Sequence, residues 1–226
     1  MRMNARRLHT AMSSREDMFW NNLEKRIFDG VGKYNIPEIK PEKYIECKYV
    51  RFNEAQKLKN RSGIGVHFFV DDYFFDKIWN QFYRYMDMLS KFDAVLTPDW
   101  SVYTDWPVAV NIWSHYKKHY VGAWLQSIGV RVYPTIEWSD KNSYDWCFDG
   151  EPVGGCVAIG SIGTQKDIEA RKLFVYGYDA MLERLRPETI MFWGKLPKEC
   201  RGNIIKMDEE YKWSREVGDK ELVTNV

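Results

Sequence analysis

Acidic side chains recur at the points where predicted strands end. Asp72, Asp99 and Glu137 each follow, within a few residues, an apolar segment typical of a buried parallel strand. The carboxyl ends of parallel strands meet at one edge of a sheet, and neighbouring strands lie about 4.8 Å apart. Carboxylates there can lie about 5–10 Å from one another, a separation at which a pair works as acid and base on glycosides. We therefore expect these three residues to be catalytic, with Asp99 as nucleophile or base and Glu137 as the acid.

Polar and aromatic side chains on the same strand-end loops are predicted to bind the substrate. Aromatic residues make up 16% of the chain, and rings beside acids suit a sugar, a nucleoside or a base. Trp100 and Trp138 are the expected stacking walls, although a core packed with rings is the alternative explanation. The other open alternative is that Asp72 and Asp99 only cap the helices that follow them. The predicted substrate-binding residues are Asp71, Trp100, Ser101, Tyr103, Trp138, Ser139, Asp145, Ser161, Thr164 and Lys195.

Metal binding is only weakly indicated. His115 and His119 have the i, i+4 spacing of a metal pair on a helix, but the residues between them offer no acidic partner. We therefore predict a solvated helix face there and assign no metal ligands. The cofactor is unknown, and Mg²⁺ is possible because Asp72, Asp99 and Glu137 together offer oxygen ligands.

Two further segments have weaker signals. Cys147 could be a nucleophile only with a base nearby, and it shares one face with Asp145 and Asp149 if that loop is extended. His67 lies inside an apolar strand, which is typical of a buried core residue. The segment Gly160-Ser-Ile-Gly163, ahead of a helix predicted to start near residue 166, could bind phosphate at the helix N-terminus, but it lacks a complete phosphate-loop pattern.

Alternating strands and helices must position these residues. The alternation predicts an α/β fold with a mainly parallel sheet and right-handed crossovers. We favour an incomplete TIM-barrel-like form, because no Gly-rich phosphate loop opens a helix; a doubly wound open sheet is the alternative. Three regions are expected: an N-terminal helical extension (1–35), a single β/α domain (36–207) and a charged C-terminal tail (208–226). Strands are predicted at 46–52, 65–70, 93–97, 130–136, 156–160, 189–193 and 203–206. Helices are predicted at 13–27, with Gly30 stopping the helix, and at 53–60, 74–92, 107–128 and 166–185.

The charge balance excludes a general attraction to polyanions. Thirty-three basic and 32 acidic residues give a net charge of +1, so no global field draws the chain to nucleic acid or membrane. Arg2, Arg6, Arg7 and residues 40–59 are locally basic, and a solvated surface explains them best. No apolar run reaches about 18 residues, and the four cysteines are far apart. We expect a cytoplasmic protein with reduced thiols and no membrane contact.

Several blocks of sequence resemble one family. They are His67-Phe-Phe-Val-Asp-Asp-Tyr73, Leu96-Thr-Pro-Asp-Trp-Ser-Val-Tyr103, Gly122-Ala-Trp-Leu-Gln-Ser-Ile-Gly129, Pro134-Thr-Ile-Glu-Trp-Ser139, Ser143-Tyr-Asp-Trp-Cys-Phe-Asp-Gly150 and Val157-Ala-Ile-Gly-Ser-Ile-Gly163. In order and spacing they resemble domain-of-unknown-function family 4417, found in phages and bacterial mobile elements. The resemblance implies a phage or mobile-element setting, and it supplies neither an activity nor catalytic residues.

Three functions are compatible with these observations. The first is an enzyme of hydrolase or glycosyl-transfer type acting on a nucleotide, nucleoside or glycosidic bond through the strand-end carboxylates. The second is a non-catalytic binding protein that sequesters a small nucleotide ligand or docks on a host protein. The third is a nucleic-acid-associated factor that uses the basic N-terminal third, for which steep salt dependence of binding is expected.

Overall fold

A short hairpin begins the described part of the chain. The structure, a computed structural model, describes residues 28–165 and 167–207. Strands β1 (Gly30–Val31) and β2 (Ile36–Pro37) pair antiparallel, so the hairpin joins residues on both sides of the predicted boundary at residue 35. The predicted helix over 13–27 and the tail from 208 lie outside the described residues. Gly30, predicted to follow that helix as its stop, belongs to β1.

Two parallel sheets form the body of the protein. The first has the order β3 (Lys48–Arg51), β4 (Ile64–His67), β5 (Ala94–Leu96) and β6 (Val132–Tyr133), and the second has β7 (Cys156–Gly160), β8 (Thr189–Trp193) and β9 (Ile204–Lys206). Within each sheet the strands follow chain order, without the reversal of a doubly wound sheet. An isolated parallel bridge between Thr135 and Ala158 links β6 to β7. All seven strands were predicted, which confirms the α/β class.

Strand β6 is shorter than predicted because a proline interrupts it. The expected strand spans residues 130–136, but the observed one ends at Tyr133. Pro134 follows and has no N–H to donate to a ladder. Pairing resumes one residue later, where Thr135 donates its N–H to Thr97 Oγ1 at 2.8 Å and its hydroxyl to Thr97 O at 3.0 Å. This break turns the chain from the first sheet toward the second.

α-Helices separate β3 from β4, β4 from β5, β5 from β6 and β7 from β8. They are α1 (Phe52–Ala55), α2 (Lys77–Asn80), α3 (Phe82–Leu89), α4 (Val108–Ser127) and α5 (Ile168–Leu185). Helix α4 ends as predicted before Gly129, whose φ of +86° suits glycine. The single helix predicted over 74–92 is wrong. A 3₁₀ turn (Asp72–Phe74), α2 and α3 replace it, and Gln81 leaves helical geometry at φ −123°, ψ 45°. This segment is rich in aromatic residues of modest helix propensity, so tertiary packing decides its path.

Buried side chains of the first sheet pack against strands β7 and β8 of the second sheet. The rings of Tyr49 on β3 and Trp193 on β8 meet edge to face at 5.7 Å between centroids, and His67 on β4 lies 5.3 Å from the same indole. The buried residues of β7 and β8 that face this way, Cys156, Ala158, Met191 and Trp193, pack in one cluster with the first sheet. Burial lowers the pKa of His67 to about 3, so it is neutral, as predicted for a core histidine.

Candidate active site

A continuous cleft lies at the carboxyl ends of the strands. Its central part, about 450 Å³, has Asp72 and Asp99 in its walls, and an adjoining part of about 440 Å³ has Asp99 and Glu137. A third part borders the first at Asp71 and extends beyond β8. We call the whole depression the strand-end cleft. It contains the three predicted catalytic carboxylates and these predicted binding residues: Asp71, Ser101, Tyr103, Trp138, Ser139, Ser161, Thr164 and Lys195.

The two central carboxylates are held in a partly desolvated state. Burial raises the pKa of Asp99 from 3.8 to about 7, although the Lys118 ammonium opposes the shift. Burial also raises the pKa of Glu137 well above its usual range, and Lys118 again opposes it. Only 12% of the Glu137 side chain is exposed. The direction of the Glu137 shift suits a group that gives a proton, while Asp99, with a pKa of about 7, lies close to the point where it can accept one.

Asp72, which follows β4, forms hydrogen bonds with Ser101, which follows β5. Its Oδ2 accepts the backbone N–H of Ser101 at 3.0 Å, and its Oδ1 accepts the Ser101 hydroxyl at 3.0 Å. Burial raises the pKa of Asp72, and the hydrogen bonds from Ser101 oppose that shift. Neither Asp72 nor Asp99 caps a helix: Asp72 bonds to a neighbouring loop, and the helix after Asp99 starts at Val108 with Pro107 at its cap position. The capping alternative is therefore wrong for both residues.

A buried lysine lies behind the carboxylates. Lys118 on α4 has a side chain with 0% exposure, and its Nζ lies 2.9 Å from Glu151 Oε1, 3.5 Å from Glu137 Oε1 and 2.9 Å from the Thr135 carbonyl. Burial alone would lower the pKa of Lys118, but Glu151 and Glu137 outweigh it and raise the value. Lys118 is therefore charged, and it fixes the position of Glu137 from the protein side.

The raised pKa of Asp99 makes stability depend on pH. The folded pKa of about 7 lies above the usual 3.8, so this group's contribution is fully present below about pH 4 and is lost as pH rises through 7. We expect Asp99→Asn, an amide of the same shape, to raise the free energy of unfolding by about 1–2 kcal/mol at pH 8, after allowance for solvent screening. At pH 4 the gain should vanish. Urea unfolding at both pH values measures it, and an equal gain at both would contradict the assignment.

Aromatic side chains border the acids, but Trp100 is not one of them. Trp138 lies in the cleft wall and donates from Nε1 to the Leu173 carbonyl at 3.2 Å. Trp100 is only 2% exposed. Its indole donates to Asp76 Oδ1 and has Lys117 Nζ 4.3 Å from the ring centroid. The prediction of Trp100 as a stacking wall is wrong because the side chain points into the core. Other rings in the walls include Tyr103, Trp106, Phe69 and Phe174.

Gly177 on α5 makes room for Trp138. A Cβ at this position would lie 2.1 Å from Trp138 Nε1, so any side chain must displace the indole. We expect Gly177→Ala to reduce the free energy of unfolding by about 1–3 kcal/mol, although alanine ordinarily stabilises a helix interior relative to glycine by roughly 1 kcal/mol. Thermal unfolding measures the effect. In a Trp138→Ala background the same substitution should be neutral or stabilising, and a cost unchanged by that background would contradict the contact.

The predicted phosphate-binding loop uses its polar groups internally. The Ser161 hydroxyl donates to the Lys195 carbonyl at 2.8 Å, and the Thr164 hydroxyl donates to the Ser161 carbonyl at 2.9 Å. The following helix begins at Ile168, two residues later than predicted, because Asp167 caps it by accepting the Ala170 N–H. A carboxylate thus occupies the N-terminus where an anion would bind. The prediction of a phosphate at this helix N-terminus is therefore wrong.

The Asp145 to Asp149 segment also differs from its prediction. It contains the end of a 3₁₀ helix (Lys141–Asp145) and further turns, so the three residues do not alternate on an extended face. Asp145 borders a separate depression with Ser139 and Tyr103 at the edge of the cleft. Cys147 is buried, and burial raises the pKa of its thiol to about 12. A nucleophilic thiolate is not favoured there.

The two α4 histidines are buried, which corrects the expected solvated face. His115 and His119 both have 0% exposure, and burial lowers the pKa of His115 well below its usual range. Glu151, distant in sequence, is the acidic partner that the segment between them lacks: its Oε1 lies 3.0 Å from His119 Nε2.

Lys118 and Glu151 were missed by sequence reasoning. The burial of Lys118 has one signal in the sequence of α4, a stripe of positions at helical spacing. All positions of this stripe are buried: 111, 114, 115, 118, 121, 122 and 125. That stripe includes His115 and Lys118 beside Val121 and Leu125, so it marks them as core-facing. No local pattern in the sequence marks Glu151 as buried, because its partners lie more than 30 residues earlier.

Within the described residues no helix is long and apolar enough to cross a bilayer.

Comparison with known proteins places the chain in a family. A family model described as a domain of unknown function, DUF4417, matches residues 28–212. The Gene 1 protein of Mycobacterium phage L5 is 32% identical over 192 residues, which cover 83% of this chain and 83% of that protein. The Gene 1 protein of Mycobacterium phage D29 is 34% identical over 192 residues, covering 83% and 71%. No solved structure matches. The chain therefore belongs to the DUF4417 family, as its sequence blocks predicted.

Proposed function

We propose that this protein is an enzyme that breaks or transfers a glycosidic bond in a nucleoside, nucleotide or sugar. The observation that carries the proposal is the joint exposure of Asp99 and Glu137 to one cleft at the strand ends, with raised pKa values and a buried lysine behind them. Strand-end loops are where β/α folds hold their catalytic groups. Perturbed carboxylates in such a cleft mark a functional site.

The two carboxylates have distinct roles in this proposal. Glu137, whose pKa burial raises, gives its proton to the leaving oxygen or nitrogen. Asp99, with a pKa of about 7, takes a proton from the attacking water or attacks the sugar carbon directly. Asp72 positions the loop that contains Ser101. The same three acids are also able to hold Mg²⁺ through oxygen ligands.

The lining of the cleft supports a ring-bearing, partly charged ligand. Trp138, Tyr103 and Phe174 offer ring surfaces next to the acids, which suits a sugar or a base. Arg51 and Lys195 line the far part of the cleft beyond Asp71, where cationic side chains favour a phosphate group. A nucleotide or nucleoside is therefore the substrate class that we propose.

We also propose that the two sheets curve into an incomplete β/α barrel. The strands keep chain order in both sheets, the Thr135–Ala158 bridge joins the sheets, and Tyr49 on β3 contacts Trp193 on β8. Such closure supports the site proposal because it turns all strand ends toward one mouth. An experimental structure with β3 far from β8 would contradict it.

The family supports a phage or mobile-element setting. Both relatives described above are phage proteins, so we propose that the enzyme acts in the cytoplasm of a bacterial host. A nucleotide-directed activity would act there on host or phage pools.

A ligand screen tests the proposal. Purified protein is heated with nucleosides, nucleoside phosphates and oligosaccharides, each with and without Mg²⁺, and the melting temperature is recorded. We expect stabilisation by one ring-bearing class, since a ligand that binds the native state shifts melting by mass action. Chromatography of the same mixture over time should then show cleavage. A ligand that stabilises the protein yet stays intact would favour the non-catalytic binder, and no shift at all would contradict the site and favour a protein or nucleic-acid partner.

A further inference from the structure

A second cluster of polar side chains lies deeper than the cleft. His115 and His119 on α4 and Glu151 in the loop before β7 are each buried, and each offers a ligand atom such that the three atoms lie within 4.8 Å of one another. The imidazole rings are 4.3 Å apart between centroids. Zinc sites use ligand sets of this kind, in which two histidines at i, i+4 on one helix join a carboxylate from a distant segment.

Backbone carbonyls fix which nitrogen of each ring is available. His119 Nδ1 lies 2.8 Å from the Pro37 carbonyl, and His115 Nε2 lies 3.0 Å from the Asp149 carbonyl. A carbonyl only accepts hydrogen bonds, so each of these nitrogens carries the proton. Metal-bound histidines are oriented in this way, with the second ring N–H given to a carbonyl. The lone pairs left over are on His119 Nε2 and His115 Nδ1.

The remaining lone pairs lack adequate partners. His115 Nδ1 and Glu151 Oε2 are buried, and no atom of the described residues hydrogen-bonds to either. His119 Nε2 lies 3.0 Å from Glu151 Oε1. Both atoms are hydrogen-bond acceptors, so the contact is favourable only when a proton or a cation lies between them. Unsatisfied buried polar atoms are costly, and two of them in one cluster of metal-ligand type point to a ligand.

We propose that His115, His119 and Glu151 bind one zinc-class divalent cation that joins α4 to the loop before β7. Histidine nitrogens select zinc-class ions over Mg²⁺, and burial of all three side chains gives the ion a structural role apart from substrate. Tetrahedral zinc needs ligand atoms about 3.3 Å apart, so the side chains close slightly around the ion. Glu151 has two oxygens to offer.

The surrounding charge accommodates the cation. Lys118 lies beside Glu151, and it also faces Glu137 and Asp99. Three acidic side chains thus surround one ammonium. Lys118 also donates to the Thr135 carbonyl at 2.9 Å and lies 3.5 Å from Glu137 Oε1, so it does not depend on Glu151 alone. Glu151 is therefore available to balance the charge of the metal.

Metal analysis of the whole chain tests the site. Protein stripped with a chelator is dialysed against Zn²⁺, and bound metal is counted by mass spectrometry. We expect one Zn²⁺ per chain, a rise of several degrees in melting temperature, and no such rise with Mg²⁺. No bound zinc in the folded protein would overturn the proposal.

Variants identify the ligands. Glu151→Gln and His115→Gln should each weaken Zn²⁺ binding at least about 100-fold, whereas His67→Gln, a buried histidine outside the cluster, should leave it unchanged. Should the variants fail to fold, X-ray absorption of the zinc-loaded wild type decides. Imidazole nitrogen and oxygen neighbours support the site, and a sulfur neighbour overturns it, as does full zinc affinity in both ligand variants.

Discussion

Replacing Lys118 with methionine is expected to reduce the free energy of unfolding by about 3–5 kcal/mol, the usual cost of removing one partner from a buried ion pair. Methionine fills a similar volume, so the loss reports charge more than packing. The ammonium lies 2.9 Å from Glu151 and 3.5 Å from Glu137. Without it Glu151 keeps its desolvation cost and loses its main counter-charge, and Glu137 loses the group that opposes the rise of its pKa. Urea unfolding at neutral pH measures the change.

Two controls separate this effect from a general loss of charge. Lys91→Met removes a lysine from an exposed pair with Asp87, and such pairs contribute about 0–1 kcal/mol. In the double variant Lys118→Met with Glu151→Gln, one stranded carboxylate becomes neutral, so the total cost should be less than the sum of the two single costs. A Lys118→Met protein as stable as wild type would contradict the buried network.

Changing either central carboxylate to its amide is expected to abolish most of the turnover. With the substrate found by screening, Glu137→Gln and Asp99→Asn should each lower kcat by about 10²–10⁴-fold, the usual contribution of a positioned acid or base. KM should change little, because the amides keep the shape of the cleft. Steady-state kinetics on folded variants measures both constants.

A nearby acid provides the matched control. Asp105 is exposed and lies on the loop between Ser101 and α4, outside the residues that line the cleft, so Asp105→Asn should keep wild-type kcat. Equal losses in all three variants would indicate a general disturbance of the loops. Wild-type turnover in both Asp99→Asn and Glu137→Gln would contradict the catalytic assignment.

The shared position of Asp99 and Glu137 was predictable because backbone topology alone brings them together. Asp99 and Glu137 follow buried strands, and parallel strands in chain order must end at one edge. Their neighbour Trp100 was mispredicted for a related reason: one residue along an extended chain reverses the direction of the side chain. Trp100 thus enters the core while Asp99 lines the cleft.

The buried network was not predictable because it depends on long-range pairing. A lysine and two histidines on one helix suggest a solvated face until three carbonyls and two carboxylates from other segments surround them. Glu151 supplies the decisive contact, and nothing local marks it. Similarly, the helix predicted over 74–92 divides at Gln81, since helical periodicity does not reveal where the core bends a chain.

The pH dependence of kcat/KM in wild type and Asp99→Asn tests whether Asp99, with its pKa raised to about 7, acts from its ionised form in the strand-end cleft. The wild-type profile should fall on the acid side with a midpoint near pH 7. Residual turnover in Asp99→Asn should lack that limb. A wild-type profile that is flat through pH 7, or the same acid limb in both proteins, would contradict the account.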